Sequence, residues 1–195
     1  SLPKDYAPFS PFGDGGVLAY TGRFFACPAQ CPDDATWQIL LDAPGRTILA
    51  DGKLFGGRAT WTDSGDGQNA YVGEATPVET PDFLAVIDTA LPETIRAQLS
   101  QQLPQFMHLF AERIGDLPAR PMLFASYDLS HANGFGRQGG TLPGQVFVHF
   151  YGSAWPERMA APGFTDELAW HFAHEAAHLY QRQLFTDTGQ GAWIH

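Results

Sequence analysis

Residues 163–185, GFTDELAWHFAHEAAHLYQRQLF, decide the fold of the second half of this chain. Their apolar side chains recur at the spacing of one face of a helix, and five of them form a continuous stripe: Leu168, Phe172, Ala176, Leu179 and Tyr180. Asp166 and Glu167 lie in the expected first turn, where the helix dipole favours acidic side chains. The pattern predicts a helix from about Thr165 to Phe185, which the polar segment TDTGQG ends.

Two histidines on this helix have the spacing of a metal site. His174 and His178 are four residues apart, so both imidazoles lie on one face and can bind the same ion. Glu175 lies about 100° around the helix from His174. Its carboxylate is then beside the ion, where it can take a proton from a water that zinc activates. Zinc suits imidazole ligands, so the segment predicts a catalytic zinc with His174 and His178 as ligands and Glu175 as general base.

The third protein ligand is not given by this helix. His171 has the spacing of a further ligand, but three ligands on one straight helix diverge along its axis, so we interpret His171 as lining the site. The extended motif with a third histidine is absent, because Gln181 and Leu184 stand at its glycine and histidine positions. The remaining arrangement uses a glutamate on the following helix.

The first half of the chain has a β pattern. Between residues 15 and 90, five short apolar runs predict strands: GVLAYTGRFFAC, TWQILLD, RTILADG, YVGEAT and FLAVID. Turn-forming segments such as APG, DG and DSGDGQN separate them. The pattern favours an antiparallel region, most simply a small sandwich over residues 1–90.

From residue 91 the pattern becomes mixed. Residues 91–115 have helical spacing and predict one helix, or two that are broken near Pro104, with an end at Gly115. RPMLFASYD and GQVFVHFYG predict strands, and the glycine-rich segment between them, residues 129–143, predicts a long loop. The fold class is therefore α+β, with an N-terminal antiparallel β domain.

Composition excludes several classes of partner. The formal net charge is -10, and lysine occurs only at Lys4 and Lys53, so no basic patch exists for nucleic acid or an anionic membrane. No apolar run approaches the roughly 18 residues that span a bilayer.

Cys27 and Cys31, in CPAQCP, form either a short disulfide, half of a zinc knuckle or two free thiols. The disulfide is favoured, because no second ligand pair is near, and it suggests a periplasmic or secreted protein.

The HEAAH helix, followed after a short loop by GAWIH at residues 191–195, resembles the gluzincin metallopeptidases, most of all the M1- and M61-type aminopeptidases. In those families the segment after the loop has the pattern Trp-(Ile/Val)-x-Glu-Gly, and its glutamate is the third zinc ligand. This sequence has Trp193, Ile194 and His195 and then stops. The resemblance implies that the third ligand would come next and that residues 1–195 alone have little activity.

The resemblance covers residues 85–195 best. It implies that residues 91–195 are the N-terminal part of a thermolysin-like, zincin catalytic domain. It places GQVFVHFYG as the edge strand that binds an extended substrate, and GGTLP as a glycine-rich substrate loop. GGTLP has no acidic residue to bind a free amino terminus. No individual substrate-binding residue is predicted.

Three functions are consistent with these features. The first is a zinc metallopeptidase that hydrolyses peptide bonds of a peptide or protein substrate. The second is a related zinc-binding module without turnover, and the third is a non-metal interaction domain whose histidines are incidental.

Overall fold

The computed structural model describes residues 6–27, 31–65, 67–130 and 133–184, with side chains as far as Tyr180. The strands are β1 (Phe9–Pro11), β2 (Val17–Tyr20), β3 (Thr36–Ala50), β4 (Lys53–Ser64), β5 (Asn69–Gly73), β6 (Val78–Glu79), β7 (Leu84–Ile87), β8 (Met122–Asp128), β9 (Gly136–Leu142) and β10 (Gln145–Tyr151). The helices are α1 (Glu93–Ile114), α2 (Trp155–Met159) and α3 (Phe164–Leu184). The predicted α+β class with an N-terminal antiparallel sheet is confirmed.

The first sheet has the order β1-β2-β5-β3-β4, and every pairing in it is antiparallel. β3 joins two runs that the sequence predicted as separate strands, because APG forms a register shift between Asp42 and Thr47 and not a turn. Asp51 and Gly52 close the β3–β4 hairpin with positive φ angles of 49° and 69°, as a two-residue Asp-Gly turn requires. β4 was not predicted from the sequence.

The second sheet has the order β6-β7-β8-β10-β9. β7 and β10 are both parallel to β8, whereas β7 is antiparallel to β6, so the antiparallel prediction is wrong for one of the two pairings of the FLAVID segment. All four residues of β7 are buried, as is usual for a strand covered on both faces. β9 pairs antiparallel with β10 over seven residues, in a region that was predicted to be loop. β10 is therefore an interior strand, and the edge strand is β9 and not GQVFVHFYG.

Two buried layers lie on the two faces of the second sheet, and a third, smaller cluster is formed by β3, β4 and β5 of the first sheet. Between the two sheets, Leu18, Leu49 and Tyr71 pack with Val86 and Phe124. On the opposite face, α1 and α3 cover the sheet, and the predicted apolar stripe of α3 is buried there, with Leu179 partly buried.

Residues 78–87 come before residue 90 but pair in the second sheet. The division of the chain near residue 90 stays a prediction.

Two local predictions agree with the structure. α1 is one helix that continues through Pro104, and Gly115 ends it with a φ of 120°. Cys27 and Cys31 form a disulfide. Within the described residues, no helix is long and apolar enough to cross a bilayer.

Candidate active site

The two predicted ligands converge on one face of α3. His174 Nε2 and His178 Nε2 are 3.1 Å apart, and the ring planes are nearly perpendicular, at 87°. Two imidazole nitrogens bound to a tetrahedral zinc at about 2.05 Å lie about 3.3 Å from each other. The pair therefore fits two positions of a zinc ion with little rearrangement.

No third ligand accompanies this pair in the part of the chain that the structure describes, where no group of three His, Cys, Asp or Glu side chains could hold a metal ion. His171 is buried, and its Nδ1 lies 3.9 Å from Oε1 of Glu175, which is too long for a hydrogen bond. Burial, and then the positive charge of Arg137, lower the pKa of His171 to about 4, so this ring is neutral near pH 7. The predicted ligand after His195 lies outside the described residues.

Glu175, the predicted general base, follows His174 directly on α3. Its side chain is directed inward, and the residue is only 7% exposed. Burial raises the pKa of its carboxyl group, and the charge of His178 acts in the opposite direction. A carboxylate in apolar surroundings is a stronger base than one in water.

The glycine pair of β9 lets the edge strand lie directly against this carboxylate. A Cβ atom on Gly139 would collide with Cδ and Oε1 of Glu175 and would lie 3.0 Å from its Cγ. A Cβ atom on Gly140, on the opposite face, would collide with the ring of Phe147. Thr141 donates a 3.4 Å hydrogen bond from Oγ1 to the carbonyl of Glu175. The GGTLP segment therefore begins within β9 beside the expected base, and sequence reasoning found the segment but not its strand.

A charged cluster continues the same surface along α3. Glu167 binds Arg137 of β9, with Oε1 3.0 Å from Nη2, and its other oxygen, Oε2, pairs with Nη2 of Arg158 from α2. Arg137 lies two residues before Gly139, so both face the same side of the strand. Burial, together with the neighbouring charge of Arg158, lowers the pKa of Arg137. Sequence reasoning did not single out this cluster, because its members come from three separate segments.

Comparison with solved structures gives a distant match. The chain is similar in fold to yeast LTA4 hydrolase. The TM-score is 0.53 at 13% sequence identity, and the match covers 86% of this chain and 27% of that chain. This chain therefore spans about a quarter of the length of that protein, and at this identity the likeness shows the fold alone. No protein-family model matches the sequence. No curated protein matches it either.

Proposed function

We propose that the protein is a zinc-dependent metallopeptidase of the gluzincin type. The observation that carries the proposal is the 3.1 Å distance between the Nε2 atoms of His174 and His178, together with the buried carboxylate of Glu175, which directly follows His174. This is the arrangement of side chains that the HExxH motif uses. The solved structure with a similar fold is itself named a hydrolase, which supports a hydrolytic function.

The two imidazoles would hold the zinc ion through their Nε2 atoms, and in that state both rings would carry their proton on Nδ1. When bound, zinc lowers the pKa of water and polarises a carbonyl group. Glu175 takes the proton of the attacking water and transfers it to the leaving amine. Its burial keeps the carboxylate poorly solvated, and the close contact with Gly139 fixes its position.

β9 is the surface along which the substrate would lie. It is the last strand of its sheet, so its outer edge presents backbone N–H and C=O groups to a peptide that adds as a further strand. Gly139 has no side chain, so a peptide backbone can approach the base closely. The substrate is therefore proposed to be a peptide or protein in extended form.

Three parts of the proposal rest on the resemblance and on composition. As the resemblance implies, the third zinc ligand is proposed to be a glutamate, and residues 91–195 are proposed to belong to a zincin catalytic domain. GGTLP has no acidic residue at the place where aminopeptidases bind a free amino terminus, so aminopeptidase specificity is not proposed. The disulfide favours an oxidising compartment, and we place the protein in the periplasm or outside the cell.

A second candidate is zinc binding without turnover. It is favoured by one observation, namely that the described residues supply two imidazole ligands and no third. Both candidates predict zinc binding at His174 and His178 but differ in hydrolysis, so a peptidase assay separates them.

The experiment measures hydrolysis of a quenched-fluorescence peptide library in the presence of zinc, with residues 1–195 and with any longer natural polypeptide that contains them. We expect turnover by the polypeptide that supplies a third ligand and none by its Glu175→Gln variant, because an amide cannot accept the proton. The variant should keep zinc, since both imidazoles remain. Turnover by Glu175→Gln near that of the wild type would remove Glu175 from the mechanism.

A further inference from the structure

The cluster of Arg137, Arg158 and Glu167 has an excess of one positive charge. Two guanidinium groups share a single carboxylate, in a protein whose formal net charge is -10. A guanidinium group has five N–H donors, so each arginine can bind a second carboxylate while it keeps its contact with Glu167. A local positive site on an acidic protein attracts anionic groups.

The cluster lies where an extended peptide on β9 would pass. Arg137 is two residues from Gly139 on the same face of the strand, which is about 7 Å. On α3, Glu167 and Glu175 are eight residues apart, which is about 12 Å along the helix axis. A peptide whose scissile bond is beside Glu175 therefore brings a side chain to Arg137 two or three positions away, because cross-strand neighbours on one face are in contact.

The two guanidinium groups are held in place and are partly removed from water. The side chain of Arg137 is 18% exposed and that of Arg158 is 26% exposed. Arg158 also packs against Phe135, with Cζ 5.6 Å from the centre of the ring. Because charges attract each other more strongly when they are poorly solvated, a carboxylate that reaches Arg137 is bound more tightly than one on an open surface.

We infer that Arg137, supported by Arg158, is a specificity-determining residue that binds a carboxylate of the substrate peptide two or three positions from the scissile bond. The carboxylate comes from an acidic side chain or from the C-terminus of the peptide. The inference rests on the proposed function for the position of the scissile bond. The carboxylate preference itself depends only on a peptide that lies along β9.

The test measures peptide binding with zinc removed by a chelator, so that neither hydrolysis nor carboxylate binding to the metal contributes. The probes are acetylated, amidated nine-residue peptides of one sequence with glutamate or glutamine at each position in turn, and the glutamine peptide with a free C-terminal carboxylate. We expect the wild-type protein to bind one glutamate peptide or the free-carboxylate peptide about tenfold more tightly than the neutral peptide. The peptide that gains affinity identifies the source of the carboxylate.

Arg137→Gln should reduce the ratio of the dissociation constants of the neutral and charged peptides from about ten to nearly one. Arg158→Gln should reduce this ratio in part. Arg113→Gln, which removes an exposed charge at the end of α1, is the matched control and should keep the preference. Thermal unfolding of each variant shows whether it folds. A merely structural ion-pair network would lower stability in the arginine variants without changing the ratio of dissociation constants.

The inference is overturned if the wild-type protein binds the charged and neutral peptides equally or binds none of them, or if folded Arg137→Gln keeps the preference. If Arg137→Gln does not fold, the result for Arg158→Gln decides. A carboxylate preference without hydrolysis by the zinc-loaded polypeptide that supplies a third ligand would leave this site in place and refute the peptidase. Hydrolysis without the preference would refute this site alone.

Discussion

The contact between Gly139 and Glu175 gives a sharp test of the site, through the substitution Gly139→Ala. The added Cβ atom would collide with Cδ and Oε1 of Glu175. The φ angle of Gly139 lies outside the left-handed region, so alanine fits the backbone there. The substitution therefore perturbs the carboxylate and not the strand.

The size of the effect follows from the distances. Carbon atoms in contact lie about 3.5–4.0 Å apart, so the carboxyl group must move by about 1 Å to accept the new methyl group. A displacement of about 1 Å in a reacting group lowers turnover by about 100-fold. Stability should change little, because only the end of a flexible side chain has to move. Alanine in place of glycine also lowers the conformational entropy of the unfolded chain, which stabilises the folded state by about 0.4–1 kcal/mol.

The assay compares kcat, zinc affinity and Tm of Gly139→Ala with those of the matched control Gly56→Ala. Gly56 lies on β4, and a Cβ atom there would meet nothing within 4 Å. We expect kcat to fall about 100-fold in Gly139→Ala alone, with zinc affinity and Tm preserved in both. Normal turnover in Gly139→Ala would refute the contact with the base. A large fall in Tm would show that the glycine serves the fold of the strand instead.

The other predictions concern stability. Asp88 is fully buried and accepts backbone N–H bonds from Gly13, Ala90 and Tyr127, so Asp88→Ala should lower the free energy of unfolding by about 3 kcal/mol in urea denaturation, and a loss under 1 kcal/mol would contradict this. Burial raises the pKa of Asp88 above its usual value of about 3.9, so the folded state binds this proton more tightly. Stability conferred by the proton is therefore lost as pH rises through the folded pKa, and Asp88→Asn should lack this loss in denaturation curves from pH 4 to 7. The disulfide closes a loop of only five residues, so replacing both cysteines by serine should cost about 2 kcal/mol, and a loss above 4 kcal/mol would contradict the loop-entropy argument.

The elements that sequence predicted well are those with a strong apolar period. α3 has its stripe at helical spacing, and the structure buries that stripe against the second sheet. β8 and β10 consist mainly of apolar residues, and they lie in the interior of the sheet. In these segments local pattern and tertiary packing agree, so the pattern was sufficient.

The two longest elements that sequence missed, β4 and β9, contain several glycines, whereas the other missed elements, β1, β6 and α2, are only two to five residues long. β4 contains Gly56 and Gly57, and β9 contains Gly136, Gly139 and Gly140, which lower strand propensity. Their pairing with partner strands compensates, and this is a tertiary effect. One local signal was available for β9, because Pro143 and Gly144 lie between the paired residues Leu142 and Gln145, and Pro-Gly favours a tight turn.

The part of the site that lies on α3 was predictable, because it depends only on local helix geometry. Helix geometry alone brings the two imidazoles together and places Glu175 next to them. The partners from other segments were not predictable, since Gly139 and Arg137 reach α3 only through the pairing of β9 with β10. The position of the edge strand was wrong in the sequence prediction because β9 was taken for a loop.

Zinc binding by His174 and His178 is measured by a competitive zinc titration of the wild-type protein and of a variant with His174→Ala and His178→Ala. The matched control is His108→Ala, which removes an exposed histidine from α1. The wild-type and control proteins should bind one zinc ion with equal affinity, and the double variant should bind at least 100-fold more weakly, because both imidazole ligands are lost. Equal zinc affinity in the double variant would show that the metal lies elsewhere and would contradict the proposed site.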